Sequence, residues 1–207
     1  MTLVDRVVLL ATGLVALYLI LQLYKDYGQT KRNSDLYTII SMAVLFVSGV
    51  LLILFGYGIL QSPLVVIVAA LIPVCLSLGL VAEFFPQYEK SYLYFAVVGV
   101  LAIAVTRFVG PSVLATIVLI IVHSVAGLII VGVPVLAVSQ GKAPAGFAFV
   151  SLGGILIDLG GIALAFLKLG KQFLFFSEEV VFLILAPLLL LMTLAFTWGF
   201  MKKLQAA

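Results

Sequence analysis

Two side chains that can carry a proton lie in the middle of two consecutive apolar stretches. His123 is the only histidine in the sequence, and Asp158 is the one acid that lies far from the end of an apolar stretch. An acid at the centre of a bilayer costs about 2.5–3.5 kcal/mol on insertion scales, so such a residue is commonly functional or paired. Histidine is the side chain whose charge changes most readily near neutral pH. The two residues therefore predict a midplane site that carries a proton or binds a ligand.

The elements that carry these two residues are predicted to be neighbours. Residues 112–138 and 147–169 are each long and apolar enough to form a membrane helix. The short connection over 140–145 makes the two helices antiparallel. Because a helix rises by about 1.5 Å per residue, His123 and Asp158 both lie near the midpoint of their helix and at the same depth. We expect them to be in contact.

Small residues accompany both side chains. Gly154 and Gly161 lie four residues before and three residues after Asp158, and Gly127 lies four residues after His123. Residues at these spacings share a helix face. Glycines on facing stripes let membrane helices pack closely. We therefore expect Gly127, Gly154 and Gly161 to be helix-packing residues of the seam that holds the pair.

The same pair also has a purely structural interpretation. Hydrogen bonds between polar side chains of neighbouring membrane helices are common and contribute about 0.6 kcal/mol on average. In that case His123 and Asp158 would only hold two helices together. The sequence leaves both interpretations open.

The composition makes lipid the solvent for most of the chain. Of 207 residues, 65% are hydrophobic and only 9% are charged, whereas a soluble domain has about 25% charged residues. A helix needs about 20 apolar residues to cross a bilayer, where its backbone must be satisfied internally. We predict an all-α protein, a seven-transmembrane-helix bundle that forms a single domain over residues 1–207. The predicted helices cover residues 4–24, 36–60, 64–85, 91–109, 112–138, 147–169 and 178–201.

The distribution of basic residues orients this bundle, because cytoplasmic loops carry an excess of Lys and Arg. The side with the N-terminus carries the smaller set: Arg6, Arg107, Lys168 and Lys171. The other side carries the larger set: Lys25, Lys31, Arg32, Lys90, Lys142, Lys202 and Lys203. We predict a multi-pass protein of the cell membrane with the N-terminus outside and the C-terminus in the cytoplasm.

Local signals add detail to the helices. Ser34 or Asp35 can cap the second helix, and Ser177 can cap the seventh, because their oxygens accept hydrogen bonds from free backbone N–H groups. Pro73 and Pro187 lie inside the third and the seventh helices. These two positions would correspond in a 3+1+3 inverted or parallel repeat, and transporters are often built from such repeats. Proline is also simply common in membrane helices, so both interpretations remain open.

Two charged residues are candidates for the mouths of a path through the bundle. Glu83 lies near the inner end of the third helix, and Arg107 lies near the outer end of the fourth. A long charged side chain at such a depth can also reach the membrane surface without any further role. Both interpretations of Glu83 and Arg107 remain open.

Enzyme and cofactor chemistry find little support in the sequence. A zinc site needs three or four ligands, more than one histidine and one aspartate supply. A serine protease needs a base beside its serine, but Ser124 points about 100° away from His123 around the helix. Seven helices with an outside N-terminus resemble the architecture of microbial rhodopsins, in which a lysine in the middle of the last helix binds retinal. The predicted last helix, residues 178–201, contains no lysine. We therefore predict no catalytic residues, no metal, no cofactor and no retinal.

Two functions from different classes fit these features. The first is a proton-coupled transporter of a small solute or ion, with its site at His123 and Asp158. The alternative is a non-transporting sensor or an accessory subunit of a larger membrane complex, which would dock to other membrane subunits or to a second copy through its glycine faces. Both place the protein in the lipid bilayer, and the scattered basic residues predict no nucleic acid partner.

Overall fold

Seven long helices account for most of the chain in the computed structural model, which describes residues 1–168 and 177–206. Each helix is long and apolar enough to cross a membrane. The protein is therefore all-α and is an integral, multi-pass membrane protein in contact with lipid, as predicted. The helices are α1 Leu3–Thr30, α2 Asn33–Phe55, α3 Pro63–Phe84, α4 Glu89–Val109, α5 Ser112–Ser139, α6 Phe149–Lys168 and α7 Glu178–Ala206.

The first two helices differ from the predicted ranges at their ends. α1 continues through polar residues to Thr30, and the chain turns at Lys31, which has a left-handed backbone with a φ of 55°. α2 ends before Gly56, whose φ of 72° is one that glycine adopts without a steric penalty. A short 3-10 helix, Tyr57–Gln61, takes the place of the last predicted turn of α2.

The last two helices differ in a similar way. α6 begins at Phe149 after a short 3-10 helix, Ala145–Ala148. α7 continues to Ala206, so the predicted Lys202-Lys203 tail belongs to its last turns. Ser177 Oγ accepts a hydrogen bond from the backbone N–H of Val180 at 3.4 Å, which confirms the predicted cap. The predicted helix end at position 169 and the basic residue Lys171 lie outside the described residues.

Six of the helices form a closed ring, and α4 lies outside it. Neighbours in the ring follow the order α1, α2, α3, α5, α6 and α7, and α7 packs against α1 to close it. α4 packs mainly against α3 and α5. In chain order, three ring helices precede α4 and three follow it. The 3+1+3 repeat that Pro73 and Pro187 suggested stays a prediction. We call α1 to α3 the first triplet and α5 to α7 the second triplet.

The centre of the ring is filled by apolar side chains from all six ring helices. Because lipid tails are as apolar as these side chains, close packing is what holds the helices together. α4 contributes to a separate, smaller cluster with α3 and α5. The residues of the central cluster are Ala16, Leu19, Leu23, Met42, Leu45, Ile72, Leu76, Leu80, Ile130, Val133, Phe147, Val150, Ile157, Met192, Phe196 and Phe200.

Candidate functional site

His123 of α5 and Asp158 of α6 lie side by side, as the helix connection predicted. His123 Nε2 is 3.5 Å from Asp158 Oδ1. Both atoms are buried, and neither has a hydrogen-bond partner among the described residues. The contact is close enough for a charge interaction but too long for a good hydrogen bond. The two atoms therefore keep hydrogen-bonding capacity that the protein itself does not use.

Each member of the pair lies over a glycine of the opposite helix. A Cβ atom at Gly127 would come within 2.1 Å of Asp158 Oδ1, and a Cβ atom at Gly161 would come within 2.3 Å of His123 Nε2. At Gly154 a Cβ atom would lie 2.8 Å from the nearest side chain of α5. The three predicted packing glycines thus lie in the seam between α5 and α6. Two of them make the room that the polar side chains occupy.

A cavity of about 120 Å³ lies beside His123, between α3, α5 and α6. Among the described residues, His123 and Ser124 are the only polar side chains in its wall. Asp158 does not line it, so a molecule in the cavity would meet the imidazole and not the carboxylate. The other lining residues are Leu60, Val65, Val66, Ala69, Ala70, Leu119, Ile120, Gly161, Ile162, Leu164 and Ala165.

The cavity runs from one end of the bundle to its middle. Leu60 lies in the turn before α3, Val65 lies in the first turn of α3, and Ala165 lies near the end of α6. All three belong to the end of the bundle that holds the N-terminus. His123 lies near the middle of α5. The cavity therefore connects the N-terminal end of the bundle with the His123–Asp158 pair.

The opposite end of the bundle carries a network of charged side chains centred on Glu83 of α3. Its Oε1 lies 2.7 Å from Lys203 Nζ of α7 and 3.3 Å from Arg32 Nη1 in the turn between α1 and α2. Its Oε2 accepts a hydrogen bond from the hydroxyl of Ser34. Glu83 thus connects three parts of the ring at this end. Both interpretations of Glu83, a mouth charge and a side chain that reaches the membrane surface, stay predictions.

Arg32 extends this network to two more acids, Asp26 and Asp35. Burial lowers the pKa of the Arg32 guanidinium, but the carboxylates of Glu83, Asp35 and Asp26 outweigh burial and raise the pKa overall.

The predicted cap of α2 is not present. The residue before α2 is Arg32, and no side chain makes a capping hydrogen bond there. Ser34 and Asp35 lie in the first turn and bind the network, so the expectation that they cap α2 is wrong.

An aromatic layer lies next to the network. The ring centroids of Phe84 and Phe147 are 5.4 Å apart, and those of Phe147 and Phe200 are 5.6 Å apart. The gap between these rings, Glu83 and Lys203 measures about 10 Å³, which is room for one water at most. The rings and the ion pairs are therefore closely packed against each other. Larger spaces lie elsewhere at this end, one of about 220 Å³ beside Arg32 and Glu83 and one of about 450 Å³ beside Tyr88 and Tyr92.

Arg107, the second predicted mouth charge, is placed differently from Glu83. It lies in the last turn of α4, outside the ring. Its Nε and Nη2 atoms are buried and have no hydrogen-bond partner in the described part of the chain. Neither Glu83 nor Arg107 lines the cavity beside His123, so the structure brings neither of them to the midplane pair.

Sequence reasoning missed the partners of Glu83. Arg32 lies 51 residues from Glu83 in the chain, and Lys203 lies in the last helix. The signal available was weak: an acid and several cations were predicted on the same side of the membrane. Which of them would meet depends on the order of the helices in the ring, which hydropathy does not report.

The fold and the composition define the class of this chain as an integral membrane protein with seven helices among its described residues. No family model, curated protein or solved structure matches the chain. The geometry of the site is therefore the basis for inferring a function.

Proposed function

We propose that the protein is a transporter that couples the movement of a small solute to a proton held by His123 and Asp158. The observation that carries this proposal is the cavity that joins one end of the bundle to the pair. Transporters built from repeated units bind solutes and coupling ions near the midplane, where the units meet. Here the cavity lies between α3 of the first triplet and α5 and α6 of the second.

The charge of the pair explains how a proton would be coupled. With one proton the pair is neutral overall, whichever residue holds it. With no proton an unpaired carboxylate is left in the apolar seam, at a cost of about 2.5–3.5 kcal/mol. Loss or gain of a proton is therefore favourable only when another charge arrives or when the surroundings change. That dependence is what proton coupling requires.

The charged network at the other end supports an alternating-access cycle. The cavity reaches the N-terminal end of the bundle, while Glu83, Lys203 and Arg32 link three parts of the ring at the C-terminal end. Movement of a solute across the bundle would require these ion pairs to separate. With the N-terminus outside a cell membrane, as we propose, the arrangement corresponds to a state that faces outward.

The accessory-subunit alternative has less support from the geometry. It relied on glycine faces that would be free for other subunits. In the structure, side chains of this chain itself occupy the space above Gly127, Gly154 and Gly161. We propose no catalytic activity, because the pair lacks the additional ligands of a zinc site and a suitably placed serine nucleophile.

The test is proton movement in proteoliposomes that hold a pH-sensitive dye. At pH 8, where about one short-chain carboxylic acid molecule in a thousand or fewer is undissociated, inward gradients of small carboxylates, primary amines and neutral alcohols are applied in turn. We expect at least one class to change the lumenal pH faster than in protein-free vesicles. At least one of His123→Gln and Asp158→Asn should reduce that excess rate at least tenfold, since a carboxylate needs the charge of His123 and an amine needs that of Asp158.

The control is Glu179→Gln, which removes an exposed acid in the first turn of α7 and should leave the rate unchanged. The proposal fails if no class of solute gives a protein-dependent pH change. It also fails if the two variants of the pair keep the wild-type rate.

A further inference from the structure

We infer that the cavity binds a small monocarboxylate together with one additional proton on the His123–Asp158 pair. This inference rests on the proposed function and names the class of solute for the same site. It follows from the size of the cavity, the hydrogen-bond donors in its wall and the charge balance of the buried pair.

The size of the cavity limits the ligand to a compact body. An aliphatic cavity of about 150 Å³ holds one benzene molecule, and this cavity measures about 120 Å³. Its walls are mainly Leu, Val, Ile and Ala side chains, so the body of the ligand must be apolar. A chain of three to five carbon atoms fits this description.

The polar groups of the cavity are the His123 imidazole, whose Nε2 donates a hydrogen bond when the ring is an imidazolium, and the Ser124 hydroxyl. His123 Nε2 has no hydrogen-bond partner among the described residues. On the same helix Thr116 and Ser139 each donate to a carbonyl of the preceding turn, but no such bond occupies the Ser124 hydroxyl in the ranges that the structure describes. A carboxylate has two oxygens that accept hydrogen bonds, one for the imidazolium and one for Ser124.

The charges of the site favour an anion over a cation. No lysine, arginine or acid of the described residues lines the cavity, so only the pair can balance a charged ligand. An amine would need Asp158, which lies outside the wall. A carboxylate meets His123 directly, and a second proton on the pair makes pair and ligand neutral together. The loaded site then carries the anion and one proton more than the empty site, so the two move in the same direction.

The test uses the single histidine of the chain, since selective labelling with ¹⁵N-histidine in nanodiscs, with no histidine tag, reports His123 alone. Butyrate should move the ring signals toward the imidazolium range in a saturable way, whereas butylammonium and butanol at the same concentrations should not. Ser124→Ala should weaken butyrate binding about tenfold, as expected for a hydrogen bond to a charged group.

Two variants make this test decisive. Ser48→Ala removes a hydroxyl of α2 that does not line the cavity and should leave butyrate binding unchanged, whereas Ala69→Leu should fill the cavity and abolish the response. The inference is overturned if butyrate gives no saturable shift, if butylammonium shifts the signals and butyrate does not, or if Ser124→Ala and Ser48→Ala behave alike.

If only amines change the lumenal pH in proteoliposomes, this inference falls while coupled transport stands. If butyrate binds as described and no solute changes that pH, the carboxylate site stands and the transport proposal falls.

Discussion

His123 and Asp158 meet in an aliphatic seam where each has a glycine beneath it and little else that is polar around it. The two interpretations that the sequence left open make different demands on that environment. A structural clasp would gain from a well-formed hydrogen bond, but the atoms that face each other are 3.5 Å apart and have no hydrogen-bond partner in the described residues. A pair that holds and releases a proton accepts this cost in stability.

The first prediction concerns the stability of Asp158→Asn. The substitution keeps the shape of the side chain and removes its charge. We therefore expect the free energy of unfolding to be unchanged or to rise by up to about 1 kcal/mol, and the unfolding temperature to follow it. Thermal unfolding in detergent measures this effect, with Glu179→Gln as control. A clear loss of stability would support the clasp.

The second prediction concerns the network at the C-terminal end. Glu83→Gln weakens the contacts to both Lys203 and Arg32 and should destabilise the protein by about 1–3 kcal/mol, the range for losing hydrogen bonds to charged groups. Lys203→Met leaves Glu83 with Arg32 and Ser34, so its effect should be smaller. Thermal unfolding of both variants measures these effects, with the exposed Glu178→Gln as control. A larger loss of stability in Lys203→Met than in Glu83→Gln would contradict this account.

These residues show how far the sequence could predict contacts. The meeting of His123 and Asp158 followed from a short connection and from depth, both of which are local properties of the chain. The pairing of Glu83 with Lys203 was not predictable, because it depends on α3 and α7 approaching each other across the ring. The positions of polar residues along single helices do not determine that approach.

The helices α5 and α6 position the pair by close packing, and adjacent glycines on α6 test this directly. A Cβ atom at Gly161 would lie 2.3 Å from His123 Nε2, whereas a Cβ atom at Gly160 would lie 3.3 Å from the flexible end of Leu188. Gly161→Ala should therefore displace the imidazole and destabilise the protein by about 1–3 kcal/mol, as overpacking does. Gly160→Ala should be neutral, or stabilising by up to about 1 kcal/mol through helix propensity.

Unfolding temperature and the ¹⁵N signals of His123 measure both effects. If Gly160→Ala moved the His123 signals as far as Gly161→Ala does, close packing at Gly161 would not be what positions the ring. The comparison is internal, since both variants add one methyl group to the same turn of the same helix.

Helix number and helix ends were predictable to different degrees. Seven apolar stretches gave seven helices because each must satisfy its own backbone in lipid. The observed helix ends differ from the predicted ones where a glycine has a positive φ, as at Gly56, or where polar residues continue a helix beyond its apolar part, as in α1. Apolar length marks the part of a helix inside the membrane and not the whole helix.

At the scale of the whole molecule, the two ends of the bundle are unequal. The N-terminal end contains the cavity that reaches His123, and at the C-terminal end ion pairs pack closely against three aromatic rings. The position of α4 outside the ring was not predictable, because all seven helices are strongly apolar. Only the contacts between helices show that α3, α5 and α6 enclose the site.

The measurement that tests the central claim most directly is the solute-driven change of lumenal pH in proteoliposomes containing the wild type, His123→Gln, Asp158→Asn or the double variant. His123→Gln and the double variant should both abolish a signal driven by a carboxylate, because neither retains the group that becomes the cation beside the anion. Glu179→Gln should match the wild type. A carboxylate-driven signal that survives the loss of His123 would contradict the account.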